Sequence, residues 1–213
     1  MDVVYILGTG SEANDEEIKI SARSLCRHMQ DLGAVYVVGA YPKHLPKAVH
    51  YEFGDKYPEG WKNTYHKVLK ACSIEELGDE FLMMNDDFFL TEDFVGADYP
   101  FYSLEGVDGG TCGAKSFQVH APMRINKEMF CQLPFDVNDN ACKSWRSFYA
   151  NLYQAPAVPV VDPIVRTGAN VTDFAIQTME LPFFSCSNSS FNDPDFRAWL
   201  NGQYPEACPL EIA

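Results

Sequence analysis

Asp2-Val-Val-Tyr-Ile-Leu-Gly-Thr-Gly-Ser11 stands at the head of the chain, and its reading decides the fold. Val3 to Leu7 is short, apolar and rich in β-branched residues, which suits a strand buried on both faces, and Gly8-Thr9-Gly10-Ser11 is the loop into which that strand runs. Asn14 then offers a helix cap, and Asp15, Glu16 and Glu17 suit the positive end of a helix. Ile18, Ala22, Leu25 and Met29 recur at helical spacing. A helix is therefore predicted over 15–31, closed by Gly33, with Ala34 to Val38 as a second apolar strand. Strand, helix, strand in this order is a βαβ unit.

Working outward, 49–53 reads as a short strand after the proline-punctuated stretch 41–47. Tyr65, Leu69, Cys72 and Leu77 share a face of a helix that begins near Trp61 and ends at Gly78, and Phe81 to Met84 is another buried strand. Apolar strands alternating with helices imply an α/β fold, Rossmann-like, with a mostly parallel sheet flanked by helices. Beyond residue 100 the regularity fades. Gly106 to Gly113 reads as a flexible glycine-rich segment, 143–153 as a helix, 155–163 as extended, and Asp193-Pro194 as the start of a short helix. With 213 residues the chain has room for one sizeable core, so we expect a single domain over 1–213, in which 1–100 is the ligand-binding half and 101–213 an irregular acceptor-binding half.

A net charge of -14 is a poor footprint for nucleic acid, because the surface repels phosphate at long range. No apolar run approaches a membrane span, so no membrane partner is expected. The first eight residues lack a basic leader and read directly as a strand, and the seven cysteines show no CxxC spacing. A cytoplasmic protein with reduced thiols is the expectation, under which the acceptor-like triplets at Asn170 and Asn188 carry no sugar.

The chemistry points to Phe81-Leu-Met-Met-Asn-Asp-Asp-Phe88. Two adjacent carboxylates at the carboxyl end of a buried parallel strand lie where open α/β sheets bind ligands, and they are hard oxygen donors suited to Mg²⁺ or Mn²⁺. Such a cation lets an acidic protein accept a diphosphate. Asp86 and Asp87 are the expected metal ligands. Gly8 and Gly10, with Thr9 between them, permit close backbone approach of a nucleotide, although neither a P-loop nor a complete dinucleotide fingerprint is present. Arg23 faces phosphate if the first helix points its amino end at the ligand edge. Asn63 and Asn85 can orient hydroxyls through their amides, or simply cap and turn the chain. His120 has the chemistry of a general base and Arg146 that of a planar phosphate fork.

Several of these stretches, in order, resemble the Stealth-type sugar-phosphate transferases. Asp2 to Ser11 is similar to that family's opening strand and loop, and Glu17-Ile-Lys-Ile-Ser-Ala-Arg-Ser-Leu25 to its first helix. Asn63-Thr64 and Asn85-Asp86-Asp87 are similar to its Asn-Ser and Asn-Asp-Asp motifs. His120-Ala-Pro122, Lys127 and Arg146 follow in the family's order. The resemblance covers roughly residues 2 to 150 and departs at Thr9, where the family carries Asp, and at Tyr65, where it carries His. It implies a sheet of the GT-A type, a nucleotide-diphosphate-sugar donor and a metal ion at the acidic strand end. It also implies catalytic roles for Asp87, His120 and Arg146, and donor binding by Gly8, Thr9, Gly10, Arg23, Asn63 and Asn85.

The departures favour the broader reading, glycosyl transfer to a hydroxyl acceptor, over sugar-1-phosphate transfer with release of a nucleoside monophosphate. A polysaccharide, a lipid carrier, a metabolite or a hydroxymethylated DNA base are the acceptors weighed, the last served by a basic groove of Lys115, Arg124, Lys127, Lys143 and Arg146. The alternative from another class is a catalytically silent carbohydrate- or nucleotide-binding module.

Overall fold

The computed structural model describes residues 1–10, 14–139, 141–154, 156–166 and 182–211. Its central sheet joins β1 (Asp2–Leu7), β2 (Val35–Gly39), β3 (Val49–Glu52), β4 (Glu80–Asn85) and β7 (Met123–Asn126) in the order β3-β2-β1-β4-β7. All neighbours are parallel except β4 and β7, which are antiparallel. Helix α1 (Glu16–His28) connects β1 to β2, and α2 (Gly60–Cys72) connects β3 to β4. This is a mixed α/β architecture with a mostly parallel sheet flanked by helices.

The alternation along β1 shows why its sequence is apolar throughout. Val4 and Ile6 enter one core with Val68, Ala71, Phe130 and Trp145, whereas Val3, Tyr5 and Leu7 enter a second with Ile18, Ala22 and Leu25. Each face of the sheet is covered, so Val3 to Leu7 are all buried and only Asp2, at the strand's start, is partly exposed. At the end of β2, Gly39 has φ +136°, and a Cβ there would lie 1.9 Å from the Leu7 carbonyl oxygen. Only glycine lets the two parallel strand ends close at this spacing.

Three sequence expectations are corrected at their edges. Helix α1 starts at Glu16 after Asn14 and Asp15, both left-handed (φ 57° and 60°), and no side chain caps it. Helix α2 stops at Cys72, with Ile74 and Leu77 buried in the turn beyond it. The chain after Asp87 forms one more strand, β5 (Phe88–Leu90), held to α1 by two serines. Ser21 Oγ donates to the Phe88 carbonyl, and Ser24 Oγ accepts from the Leu90 N–H at 3.1 Å.

The second half of the chain interlocks with the first. Strands β6 (Phe101–Leu104) and β8 (Ala157–Val160) pair in parallel. Strand β10 (Phe183–Cys186) lies between β5 and β9 (Ile164–Val165). Helices α3 (Lys127–Cys131) and α4 (Trp145–Tyr153) cover one face of the central sheet, while α5 (Asn188–Phe191) and α6 (Pro194–Gln203) build a smaller cluster with Phe89 and Phe184. Residues before and after 100 share the same cores.

The glycine-rich segment 106–113 is pinned: Cys112 is disulfide-bonded to Cys142, and the Asn151 amide donates to the Cys112 and Lys115 carbonyls at 3.2 and 2.8 Å. The expectation of fully reduced thiols is corrected here.

Candidate functional site

The strand order places the site. From β1 the chain proceeds outward to β2 and β3 on one side, and then returns to β4 on the other, so the topological switch lies between β1 and β4. Open sheets bind ligands in the crevice outside the carboxyl ends at such a point. Register pairs Ile6 with Asn85, so Gly8 to Gly10 and Asp86-Asp87 extend from neighbouring strand ends.

Asp86 and Asp87 keep part of their surface accessible while ringed by protein. Burial raises Asp86 to about 6, with the charge of Asp15 adding to the rise. Burial likewise raises Asp87 well above the usual carboxylate range, and repulsion from Asp86 and Glu17 acts in the same sense. Two adjacent carboxyl groups held against their own ionisation are chemically suited to a hard divalent cation. Among the described residues no three His, Cys, Asp or Glu side chains form a metal-holding cluster. This donor set suits Mg²⁺ or Mn²⁺ when phosphate and water complete the coordination, the usual arrangement for Mg²⁺.

Arg146 stands beside this pair. Its guanidinium donates to the Ala121 carbonyl, lies over the Phe88 ring with 5.9 Å to the centroid, and leaves a buried Nε without a partner. Burial lowers its pKa to about 10, opposed by the charges of Asp162 and Asp87. Asp162 in turn grips His120 twice, accepting from its backbone N–H at 2.9 Å and lying 2.7 Å from its ring Nδ1. Burial works against ionisation of Asp162, yet these two bonds and the charge of His120 hold it below the ordinary value. The His120 side chain remains 39% exposed.

A cleft of about 380 Å³ is lined by Asn85, Phe88, His120 and Arg146, with Trp61 and Thr64 of α2 opposite. Asn85 and Phe88 bracket the aspartate pair in sequence. The cleft thus gathers Asn85, His120 and Arg146; Asp86 and Asp87 are not part of its lining, and Asp87 is linked to it through its charge interaction with Arg146.

Thr9 donates its N–H and hydroxyl to Asp55 Oδ2, both at 3.0 Å, while Asp55 Oδ1 meets Lys67 Nζ at 2.5 Å. Lys67 also donates to the Leu7 carbonyl at 2.8 Å and is 2% exposed. A carboxylate therefore does sit at the β1 loop, delivered by Asp55. Gly8 faces this carboxylate, and a Cβ at Gly10 would meet nothing within 4 Å among the described residues. Ser11 lies outside the described residues.

Two expected donor-binding residues are engaged elsewhere. Arg23 clamps the C-terminal segment, donating to both Glu211 oxygens at 2.6 and 2.8 Å and to the Tyr204 carbonyl at 3.1 Å. A side chain on the outer turn of α1 reaches 204–211 because that segment folds back over the helix. Asn63 organises the loop before α2, accepting from the Lys56 and Tyr57 N–H groups at 2.9 Å and donating to the Tyr57 carbonyl at 2.7 Å. Tyr65 is a core residue against Phe130 and Phe135.

The basic groove weighed for a DNA acceptor is not assembled. Lys127 caps the Ile74 and Leu77 carbonyls, Arg124 bonds the Ala97 carbonyl, and half-buried Arg146 bonds the Ala121 carbonyl. Asn170 lies outside the described residues, and no helix among those described is long and apolar enough to cross a membrane.

Asp55, Lys67 and Asp162 are the site residues that sequence reasoning missed. Asp162 had a weak signal, an acid before proline closing an extended run. Lys67 had none, because a lysine inside an amphipathic helix reads as surface.

No protein-family model and no curated protein matches the chain. Among solved structures, the glycosyltransferase GlyE of Streptococcus pneumoniae TIGR4 is similar at 14% identity and TM-score 0.44, over 100% of this chain and 65% of that one. Its apo form is similar at 15% and 0.40, over 74% and 44%. The chain thus spans less than two thirds of the length of either structure.

Proposed function

We propose that the chain is a metal-dependent glycosyltransferase of GT-A-like build that moves a sugar from a nucleotide-diphosphate-sugar to a hydroxyl acceptor. The observation that supports this reading is a carboxylate pair held against ionisation at the switch-point strand end, with Asp87 in charge contact with Arg146, which lines one cleft with an aspartate-held His120. Asp86 and Asp87 would hold Mg²⁺ or Mn²⁺, which when bound neutralises the diphosphate and the charge that develops on it as the donor breaks. Arg146 stabilises the same charge with a donor already fixed in place.

Asp162 holds the His120 ring by Nδ1, which leaves Nε2 free to take the proton from the acceptor hydroxyl. The hydroxyl oxygen then forms a bond to the anomeric carbon while the bond from that carbon to the diphosphate breaks. The proton rests on His120 and a nucleoside diphosphate departs. Gly8 to Gly10 offer backbone to the nucleotide, and Asn85 an amide to the sugar. Polysaccharide or metabolite acceptors suit the acidic chain better than DNA does.

The test is a panel of nucleotide-sugars with Mn²⁺, scored by the nucleotide released. Nucleoside diphosphate supports glycosyl transfer. Monophosphate would move the reaction to sugar-1-phosphate transfer, and donor binding with no consumption would leave a silent binding module. Within an active enzyme, Asp162→Asn should cut kcat by about 10²–10³-fold with little change in donor KM, because only the proton-transfer step loses its oriented base. Equal loss on Asp162→Asn and on a remote surface change would refute the dyad.

A further inference from the structure

We propose that the chain matures with three disulfides: Cys112–Cys142 together with two more, Cys26–Cys208 and Cys72–Cys131, leaving Cys186 as the one reduced thiol. The two new pairs join parts of the chain that are far apart in sequence, and each is brought together by contacts other than the cysteines.

Cys26 lies one turn beyond Arg23 on α1. Glu211 receives the Arg23 guanidinium with both oxygens and also accepts the Cys208 N–H at 3.0 Å, so one carboxylate fixes the C-terminal segment over the helix at the level of Cys26. Arg27 adds a bond to the Gln203 carbonyl at 3.0 Å. Cys26 and Cys208 line the same cavity, of about 420 Å³, and each thiol bears on the other's ionisation.

Cys72 ends α2 and Cys131 ends α3, two helices that pack together around Tyr65 and Phe130. The Cys131 thiol is near enough to bear on the ionisation of Cys72. Cys72 is buried and Cys131 exposed, which gives this pair one thiol that an oxidant can reach. Cys186 is 2% exposed in β10 and has no such neighbour. Seven cysteines therefore resolve into three pairs and one buried remainder.

The chemistry needs a disulfide donor, either a small disulfide such as oxidised glutathione or the active-site disulfide of an oxidoreductase. One protein thiolate attacks the donor disulfide and releases one donor thiol. The paired thiolate then attacks the mixed disulfide and releases the second. Two protein thiols lose two electrons and two protons, and the donor gains both. In the first pair the half-buried Cys26 is the thiol an oxidant can reach, and Cys208, which is 4% exposed, resolves. In the second, Cys131 attacks and Cys72, pushed up to about 12 chiefly by burial, resolves. Such chemistry belongs to an oxidising compartment, so the proposal replaces the cytoplasmic expectation.

The full chain, purified without reductant and equilibrated in a buffer of oxidised and reduced glutathione, is to be acid-quenched, denatured, alkylated and mapped by mass spectrometry under non-reducing conditions. The expected map has one alkylated cysteine, Cys186, and three linked peptides. Cys208→Ser should leave Cys26 and Cys186 alkylated with the other two links intact, and Cys131→Ser should release Cys72 alone. The wild-type map decides even if a variant fails to fold. Five alkylated cysteines with only the Cys112–Cys142 link, or links that cross between the pairs, overturn the proposal. The outcome is independent of the transferase reading.

Discussion

Asp87→Asn is expected to lower turnover by about 10³-fold, and in the absence of metal to raise the melting temperature. The two effects have one cause. In the metal-free protein Asp87 is held against ionisation first by burial and then by the neighbouring Asp86, so its charge is a cost to the fold. An asparagine of the same shape removes the repulsion and keeps a carbonyl acceptor, a gain of roughly 1–2 kcal/mol that corresponds to a rise of about 2–8 °C for a chain of this size.

With Mn²⁺ present the order reverses. The wild-type protein gains stability in proportion to cation occupancy, and the variant does not. Thermal scans with and without Mn²⁺, alongside donor consumption, check both halves. A variant that is destabilised without metal, or that still responds to Mn²⁺ as the wild type does, would remove the assignment of these aspartates.

The sheet was legible because burial on both faces writes itself as unbroken apolar runs. Val3 to Leu7, Val35 to Val38 and Phe81 to Met84 are such runs, and each is a strand with no exposed position. The acidic pair was legible for a related reason, since charge that follows directly on a buried strand has only the strand's end to occupy. The rest depended on long-range partners that no local pattern encodes. Arg23 reads as a phosphate ligand until Glu211 is seen to occupy it. Asn63 reads as a ligand amide until Lys56 and Tyr57 are found on it. Strand β5 escaped notice because Phe88 to Leu90 is only three residues long and its pairing partner, β10, comes almost a hundred residues later. The cysteine pairs were hidden in the same way, being separated by whole elements.

The deepest of these unseen partnerships also carries the second large effect. Asp55→Ala should destabilise the protein by about 3 kcal/mol, a fall of about 6–12 °C in melting temperature, because it strands the ammonium of Lys67 in the interior. Lys67→Met should cost much less. It leaves Asp55, which is 26% exposed, with water and the two Thr9 donors, and it leaves the Leu7 carbonyl with the Ala40 N–H at 3.2 Å.

The asymmetry is the signature of burial, since a purely pairwise attraction would make the two substitutions equal. Protonation provides an independent check. Burial alone would raise the Asp55 pKa, but Lys67 and the two Thr9 donors outweigh it and hold the folded value below the ordinary 3.8. The group therefore contributes its full stability above the unfolded value and loses it as pH falls through the folded one. Wild type and Asp55→Ala should then converge in stability at strongly acid pH and separate above about pH 4, as urea titrations across that range would show. If the gap stays constant down to acid pH, the bond between Asp55 and Lys67 is not what fastens the β1 loop.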